Sequence, residues 1–282
     1  DVDDFAPRIA FNFSVFNNVL EEVAKFRAAR RIWARLLKEK YGAKNPRSLT
    51  FRTGAGSGGS TLVAQQPQNN VVRVTLHTII AAMAGVQSMH TASMDEAHAL
   101  PSEEAATLAL RTQQIVAYES GLADVIDPLG GSYYVENLTD QIEEQVEVYM
   151  KGIEERGGMV AAIESGWVVR EISESAYRFQ REVEEGERVI VGLNRFTTDE
   201  VPPIDLHRPD STVAQGAIQE IEELRKQRDP VALTRALDDL KSVATEGGNL
   251  MPPTLEAIRA LGTVGEVSAA LREVFREWQA PS

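Results

Sequence analysis

The chain has 282 residues, 43% hydrophobic and 25% charged, a balance that suits a globular protein of one large domain or two small ones. A net charge of −13 argues against nucleic acid as a partner, because counterion release needs a basic surface. The lack of cysteine excludes disulfides, thiolate metal sites and a cysteine nucleophile and suits a cytoplasmic protein, and the longest apolar stretch, near 79–86, is too short to span a membrane. Four histidines leave little for metal ligation, and no metal site is expected. The opening Asp1-Val2-Asp3-Asp4 has no initiator Met and no secretory pattern, so a processed chain or a part of a longer one is expected.

Taken in order, 9–15 reads as a strand behind Pro7, leading into a long helix with Phe16, Leu20, Val23, Phe26, Trp33 and Leu37 near one face and Tyr41-Gly42 as its stop. Residues 48–53 read as a second strand, 54–59 as a glycine loop, and 70–84 as a helix burying Val72, Leu76, Ile79, Ile80 and Met83, closed by Gly85. A third strand is predicted over 86–93, and Pro101-Ser102 opens a helix that ends near Ser120-Gly121. Strand–helix–strand repeated predicts a parallel sheet with both faces covered. From Asp127 onward the pattern is helical, punctuated by Gly157-Gly158, Pro202-Pro203, Gly247-Gly248 and Pro252-Pro253. The short run 189–193 is strand-like, 198–212 reads as an extended linker, and Thr263-Val264-Gly265-Glu266 as a capping box. The expected division is therefore 1–125, 126–197, a linker at 198–212, and 213–282.

Residues 40–94 form a run of 55 without Asp or Glu, holding Lys40, Lys44, Arg47, Arg52 and Arg73. Such a run suits either an anionic small molecule or plain core, where acids are rare. Strand alternation puts Arg8, Ala10, Asn12 and Ser14 on one face against Ile9, Phe11 and Phe13, and Ser48, Thr50, Arg52 and Gly54 against Leu49, Phe51 and Thr53. A small, polar face leaves room for a long polar ligand; the alternative is a solvated edge strand. Gly54-Ala55-Gly56-Ser57-Gly58-Gly59 fits a dinucleotide fingerprint but not its context. Pro67 interrupts the segment after the glycines, and no acid stands about 20 residues on. Asp205-Leu206-His207 lacks the later glycine of a cobalamin-ligating triplet and reads as a solvated linker. His90 falls in the third strand, with Asp95 and Glu96 after it, where the carboxylates could cap the loop or touch a ligand. Tyr133-Tyr134 read as packing, and Glu184-Glu185 and 220–223 as solvated helix faces.

At Asp4-Phe5-Ala6-Pro7-Arg8, 24–33, Asn69-Asn70-Val71-Val72-Arg73, Gln87-Ser88-Met89-His90-Thr91, Asp95-Glu96-Ala97 and 127–134, the chain resembles the substrate-binding subunit of the adenosylcobalamin-dependent acyl-CoA mutases. These include methylmalonyl-CoA, isobutyryl-CoA and 2-hydroxyisobutyryl-CoA mutases, and the resemblance runs from residue 1 to about 279. It implies an α/β fold, the last strands of a TIM (β/α)8 barrel followed by a mainly helical C-terminal region, with CoA threaded along the barrel axis. It implies that Arg8 contacts the CoA thioester arm, that Arg52 lies near the cofactor or the CoA phosphates, and that Gly59, Glu96 and Ala99 line the adenosylcobalamin side with Gln87 and Ser88 close to them; Ala10, Asn12, Gln87 and Ser88 are expected with Arg8 and Arg52 among the CoA-binding residues. The implied activity is a radical 1,2-carbon-skeleton shift of a short acyl-CoA.

The sequence departs from the methylmalonyl-CoA mutase pattern at and near the implied pocket: Ala10 replaces Ser, Asn12 Phe, Gly56 Gln, Ser60 Trp and Ala92 Asn. A different acyl group is therefore expected, or a binding protein that kept the fold without the chemistry. Three strands cannot close an eight-stranded barrel, so the expected partners are a chain supplying the first strands and a cobalamin-binding subunit. No nucleic-acid or membrane partner is expected.

Overall fold

The computed structural model describes residues 1–199, 206–208 and 210–279, and it divides into two compact units, Asp1–His207 and Arg208–Ser282. The first unit is built on three short parallel strands, β1 Phe11–Val15, β2 Thr53–Ser57 and β3 Ser88–His90, in the spatial order β1-β2-β3. Helices α1 Val19–Arg35 and α2 Asn69–Ala84 make the two crossovers. Val15 and Ala55 from the sheet, Val23 and Phe26 from α1, and Ile80, Ala81 and Ala84 from α2 share one buried cluster. Both helices therefore cover the same face of the sheet. Strands laid down in sequence order with helices on one side are compatible with part of a barrel wall, and among the described residues no reversal of strand order makes a switch-point crevice for a dinucleotide.

The aromatic residues of β1 explain its place. Phe11 stacks on Phe51 at 4.6 Å between ring centroids and meets Trp33 edge-on at 5.0 Å, while Phe13 meets Phe26 edge-on at 5.9 Å. Phe16 and Leu20, expected on the buried side of the first helix, are exposed. The helix proper starts at Val19 and passes into a π turn over Leu36–Lys40 before Gly42 ends it in the left-handed region.

The second strand lies one turn of chain later than the pattern predicts. Pro46–Leu49 forms a 3-10 turn, because Asn45 caps it through the Arg47 N–H. The Asp3 carboxylate then accepts from the Ser48 hydroxyl at 2.7 Å and from the Lys44 and Asn45 N–H groups at 2.9 and 3.1 Å. Ser48 is buried there and does not line a ligand face. The glycine segment predicted as a loop is the strand itself, held by ladders to β1 and β3 on its two sides. The third strand is cut to 88–90, and the run at 189–193 contributes only an isolated bridge between Val191 and Arg195.

Helix α2 matches the predicted bounds, with Gly85 as its left-handed C-cap, but its buried stripe is rotated toward polar residues. Val72 is 65% exposed, whereas Asn70, Arg73, His77 and Thr78 are buried. Helix α3 Glu103–Glu119 begins as expected at Ser102, whose hydroxyl accepts from the Ala105 N–H. Helices α4 Tyr133–Glu155, α5 Met159–Glu164 and α6 Trp167–Glu184 complete the unit. Tyr133 and Tyr134, expected to pack, are exposed at the start of α4.

Helix α4 is clamped to α1 by charge. Arg27 pairs with Asp127 and Glu136, Arg31 with Asp140 and Glu143, Arg35 with Glu143 and Glu147, and Lys40 with Glu154. Partner numbers rise together, so the two helices run parallel, with cations one turn apart on one and acids on the other.

The second unit packs α8 Pro230–Thr245 with α9 Met251–Arg259 and α10 Val264–Phe275, after α7 Ser211–Gln227. Leu233, Leu240, Ala257 and Ala270 are among its buried residues, and Arg228 donates two hydrogen bonds of 2.7 Å to Glu266. The predicted capping box at Thr263 and Glu266 is present. Of the expected linker, Pro202, Pro203, Asp205 and Pro209 lie outside the described residues.

Candidate functional site

Among the described residues no helix packs on the face of the sheet turned away from α1 and α2, and the strand residues there are polar or glycine. Ladder register sets Asn12 beside Gly54 and Gly54 beside Ser88, then Ser14 beside Gly56 and Gly56 beside His90. Side chains alternate along each strand, so these six residues form two rows on one surface. Asn12, Ser14, Ser88 and His90 are exposed, while Phe11, Phe13, Val15, Thr53, Ala55 and Met89 point the other way and are buried or half-buried. The expectation that helices cover both faces is corrected: the polar face is open.

Glycine in the middle of a strand weakens it, and it is found where something must approach the backbone closely. At Gly54 a Cβ would stand 2.8 Å from Ser88 Oγ and 3.1 Å from Asn12 Oδ1, so the two neighbouring side chains lean together over a residue that cannot have one. At Gly56 a Cβ would meet nothing within 4 Å. The result is a trough with a glycine floor, narrow at the first row and open at the second. Among the described residues, the side chains of Asn12, Ser14, Ser88 and His90 form no hydrogen bond, so their donors and acceptors face outward.

Parallel strands give the trough two distinct rims. Arg8, Arg52 and Gln87 precede the three strands and lie at one rim. Arg8 Nη2 donates to the Asp4 carbonyl at 2.6 Å, and Arg52 Nη2 donates to the Pro7 and Ile9 carbonyls at 2.5 and 3.3 Å. Both guanidiniums bond to neutral carbonyls, which leaves their charge unneutralised. Gln87 accepts from the Thr53 N–H at 2.7 Å and so fixes the start of β2. Ala10 is exposed just ahead of β1, on the same side as Asn12.

Gly59, Glu96 and Ala99 come after the strands, at the opposite rim. A Cβ at Gly59 would be 3.1 Å from Glu96 Oε1, so the structure brings these two together, and Ala99 is held on the same turn by its N–H to the Asp95 carbonyl. Asp95 itself is structural. Burial alone would raise its pKa, but hydrogen bonds from the Ser102 N–H and the Ser93 hydroxyl outweigh that and keep it below the usual carboxylate range. Ser60 is exposed near this rim, whereas Ala92 is buried with Leu62 and Val74 and does not line the trough.

The acid-free run divides in the structure. Lys40 is paired with Glu154, and Arg73 is buried, donating to Asn70 Oδ1 and to the Val191 carbonyl, with burial lowering its pKa. These two cations are taken up by partners within the protein, whereas Arg52 stands at the trough rim. Sequence patterning does not single out the supports behind the sheet. Asn70 bonds both Val63 backbone groups and the Met94 carbonyl, tying the segments after β2 and β3 to the start of α2. His77, fully buried, bonds Asn17 Oδ1 through Nε2 at 2.8 Å, and burial lowers its pKa to about 4, so it is neutral. Among the described residues no three His, Asp or Glu side chains are placed to hold a metal, and no helix is long and apolar enough to cross a membrane.

A family model described as methylmalonyl-CoA mutase matches residues 1–277. The chain belongs to the methylmalonyl-CoA mutase family. A 2-hydroxyisobutanoyl-CoA mutase large subunit from Aquincola tertiaricarbonis is 43% identical over 276 residues, covering 97% of this chain and 49% of that one. A methylmalonyl-CoA mutase from Rhizobium meliloti is 42% identical over 282 residues, with 99% and 40% covered, and one from Escherichia coli is 40% identical, with 100% and 39% covered. The chain thus spans half or less of the length of these relatives. As a member of the mutase family it carries the open polar trough within the matched region.

Proposed function

We propose that this chain is the CoA-binding part of an adenosylcobalamin-dependent acyl-CoA mutase, an isomerase that shifts a carbon substituent between adjacent carbons of a short acyl group. The observation that supports this most is the trough: a glycine-floored, polar, unpaired face running from two arginines at one rim to Gly59 and Glu96 at the other. Arg52 suits the phosphate end of CoA, and Arg8, which the family resemblance assigns to the thioester arm, stands at the same rim and is proposed at the phosphate end instead, since guanidiniums bonded only to carbonyls keep charge and spare N–H groups. From that rim the pantetheine arm would pass Ala10 and lie over Gly54, where Asn12 and Ser88 offer hydrogen bonds to its amides. Gln87 acts from behind, by fixing the start of β2.

The cofactor rim passes a test of fit. Gly59 leaves the space a Cβ would fill, and the Glu96 carboxylate beside it is exposed and forms no hydrogen bond among the described residues, so it is available to accept from ribose hydroxyls. Gly59, Glu96 and Ala99 would hold the adenosyl side of the cofactor. When bound, adenosylcobalamin supplies the radical hydrogen-abstraction chemistry; the chain's share is to bind, orient and exclude water. A three-stranded wall with two unpaired edges needs further strands to enclose a ligand, so partners supplying the rest of a barrel and the cobalamin site belong to the proposal.

The test is to purify the assembly through a tag on this chain from its own source and titrate it with CoA and short acyl-CoAs, then assay isomerisation with adenosylcobalamin. Gly54→Val, which fills the narrow row, is expected to weaken CoA and every ester alike by at least about tenfold while the protein stays folded. Binding without isomerisation would replace the enzyme by a binding protein. No binding of CoA at all would remove the reading.

A further inference from the structure

A cavity of about 360 Å³ lies between α1, the C-terminal end of α2 and the loop after α3, and no residue of the trough lines it. That volume is at the small end of the range for ligand sites. Three arginines of α1 line it, and they are not equivalent. Arg27 is paired with Asp127 and Glu136, and Arg31 with Asp140 and Glu143. Arg30 forms no ion pair among the described residues, and its hydrogen bond there runs from Nη2 to the Gly85 carbonyl at 2.8 Å. Burial lowers the pKa of Arg30, and the Asp127 carboxylate nearby does not make up the difference. Arg27 adds a second unmet need, since its Nε is buried with no hydrogen-bond partner among the described residues. Two guanidiniums on one cavity thus hold donors that nothing in the chain accepts from, and one of them carries a charge that no acid pairs. The wall beside them is apolar: Met83 and Ala84 from α2, and Ile126, which is 98% exposed.

We infer that this cavity binds a small carboxylate with a short hydrocarbon tail, the carboxylate at Arg30 and the tail against Met83, Ala84 and Ile126. The planar fork of a guanidinium matches the two oxygens of a carboxylate. An inorganic anion would leave the apolar wall in water, and an uncharged apolar molecule would leave Arg30 unpaired. Asp127 limits the charge that fits, because its carboxylate also lines the cavity and repels a second negative group. A singly charged ligand therefore suits the site better than a doubly charged phosphate. The site is separate from the trough, and it stands whether or not the trough takes CoA.

The assembly purified through this chain is titrated calorimetrically with hexanoate, acetate, hexanol and inorganic phosphate, in a buffer free of carboxylates. Hexanoate is expected to bind once per copy of this chain, at least about tenfold more tightly than each of the other three. Arg30→Met keeps the length of the side chain and removes the charge, and it should weaken hexanoate by at least about tenfold. Ile126→Glu alters a residue that is 98% exposed, so the fold is spared, and the added acid should weaken hexanoate by about threefold or more. That surface variant keeps the test decisive if Arg30→Met disturbs α1. Gly54→Val, in the trough, should leave hexanoate within about twofold. The inference is overturned if the unmodified assembly binds hexanoate no more tightly than acetate, hexanol or phosphate. It is equally overturned if Ile126→Glu leaves the affinity unchanged, if a folded Arg30→Met does so, or if Gly54→Val abolishes binding, which would move the ligand to the trough.

Discussion

The two faces of one small sheet are made of alternate residues of the same strands, yet they obey opposite rules. Toward the helices, Phe13, Val15 and Ala55 pack with Phe26, Ile80 and Ala81, Phe11 packs on Phe51 and Trp33, and the large side chains there are buried or half-buried. Away from the helices, Asn12, Ser14, Ser88 and His90 are exposed around two glycines. A single-residue slip of register would exchange the faces. Stability and ligand recognition are thus separated by direction and not by position along the chain, and substitutions should sort by face.

The largest expected effect is on the packed face. Phe26 is 1% exposed and lies edge-on to Phe13, so Phe26→Ala should cost about 3 to 5 kcal/mol in urea unfolding. A loss under about 1 kcal/mol would mean that this face is not the main core. Next comes pH. Burial keeps His77 neutral when folded, with a pKa of about 4, whereas the unfolded chain binds that proton near 6.5. The unfolded state therefore holds more protons between those values, and stability should fall as pH drops from about 6.5 to about 4, by roughly 3 kcal/mol in all. His77→Gln, which keeps a donor toward Asn17, should flatten this slope; unfolding curves at several pH values would show it unchanged if another group is responsible. The smallest effect belongs to neither face. Arg31 and Asp140 are more than half exposed, so Arg31→Met should change stability by less than about 1 kcal/mol and leave CoA binding unaltered.

Much of the fold is legible where local chemistry decides. The ends of α2, the Ser102 cap, the Thr263 capping box and the alternation of Asn12 and Ser14 with Phe11 and Phe13 depend on neighbours in sequence, and the structure has them where the pattern puts them. The second strand escapes the pattern because glycine carries no side chain to show a period, while Ser48, which has the look of a strand residue, is claimed by Asp3 from 45 residues away. The buried polar stripe of α2 is hidden for the same reason: Asn70 and His77 find their partners at Met94 and Asn17, outside any helical spacing. The α1–α4 charge ladder does leave a trace, in arginines four apart at 27, 31 and 35, but its acids lie about 100 residues on. The meeting of Gly59 with Glu96 is reachable only through the family resemblance, since no spacing rule links a glycine after one strand to a carboxylate after the next.

The glycines of β2 have one more effect. With no carbon above Gly54 and Gly56, nothing of the strand's own shields its backbone from solvent on that side, although β1 pairs along all of Thr53–Ser57 and β3 along Gly54–Gly56. Water reaches those bonds through the trough, so the centre of the sheet, ordinarily the slowest part of a protein to exchange its amide hydrogens, is here open to exchange from one side. A molecule lying in the trough would act as the missing roof. Occupancy would then be written in the exchange rates of residues 54–57, which makes the backbone of this strand a reporter of the ligand that its lack of side chains admits.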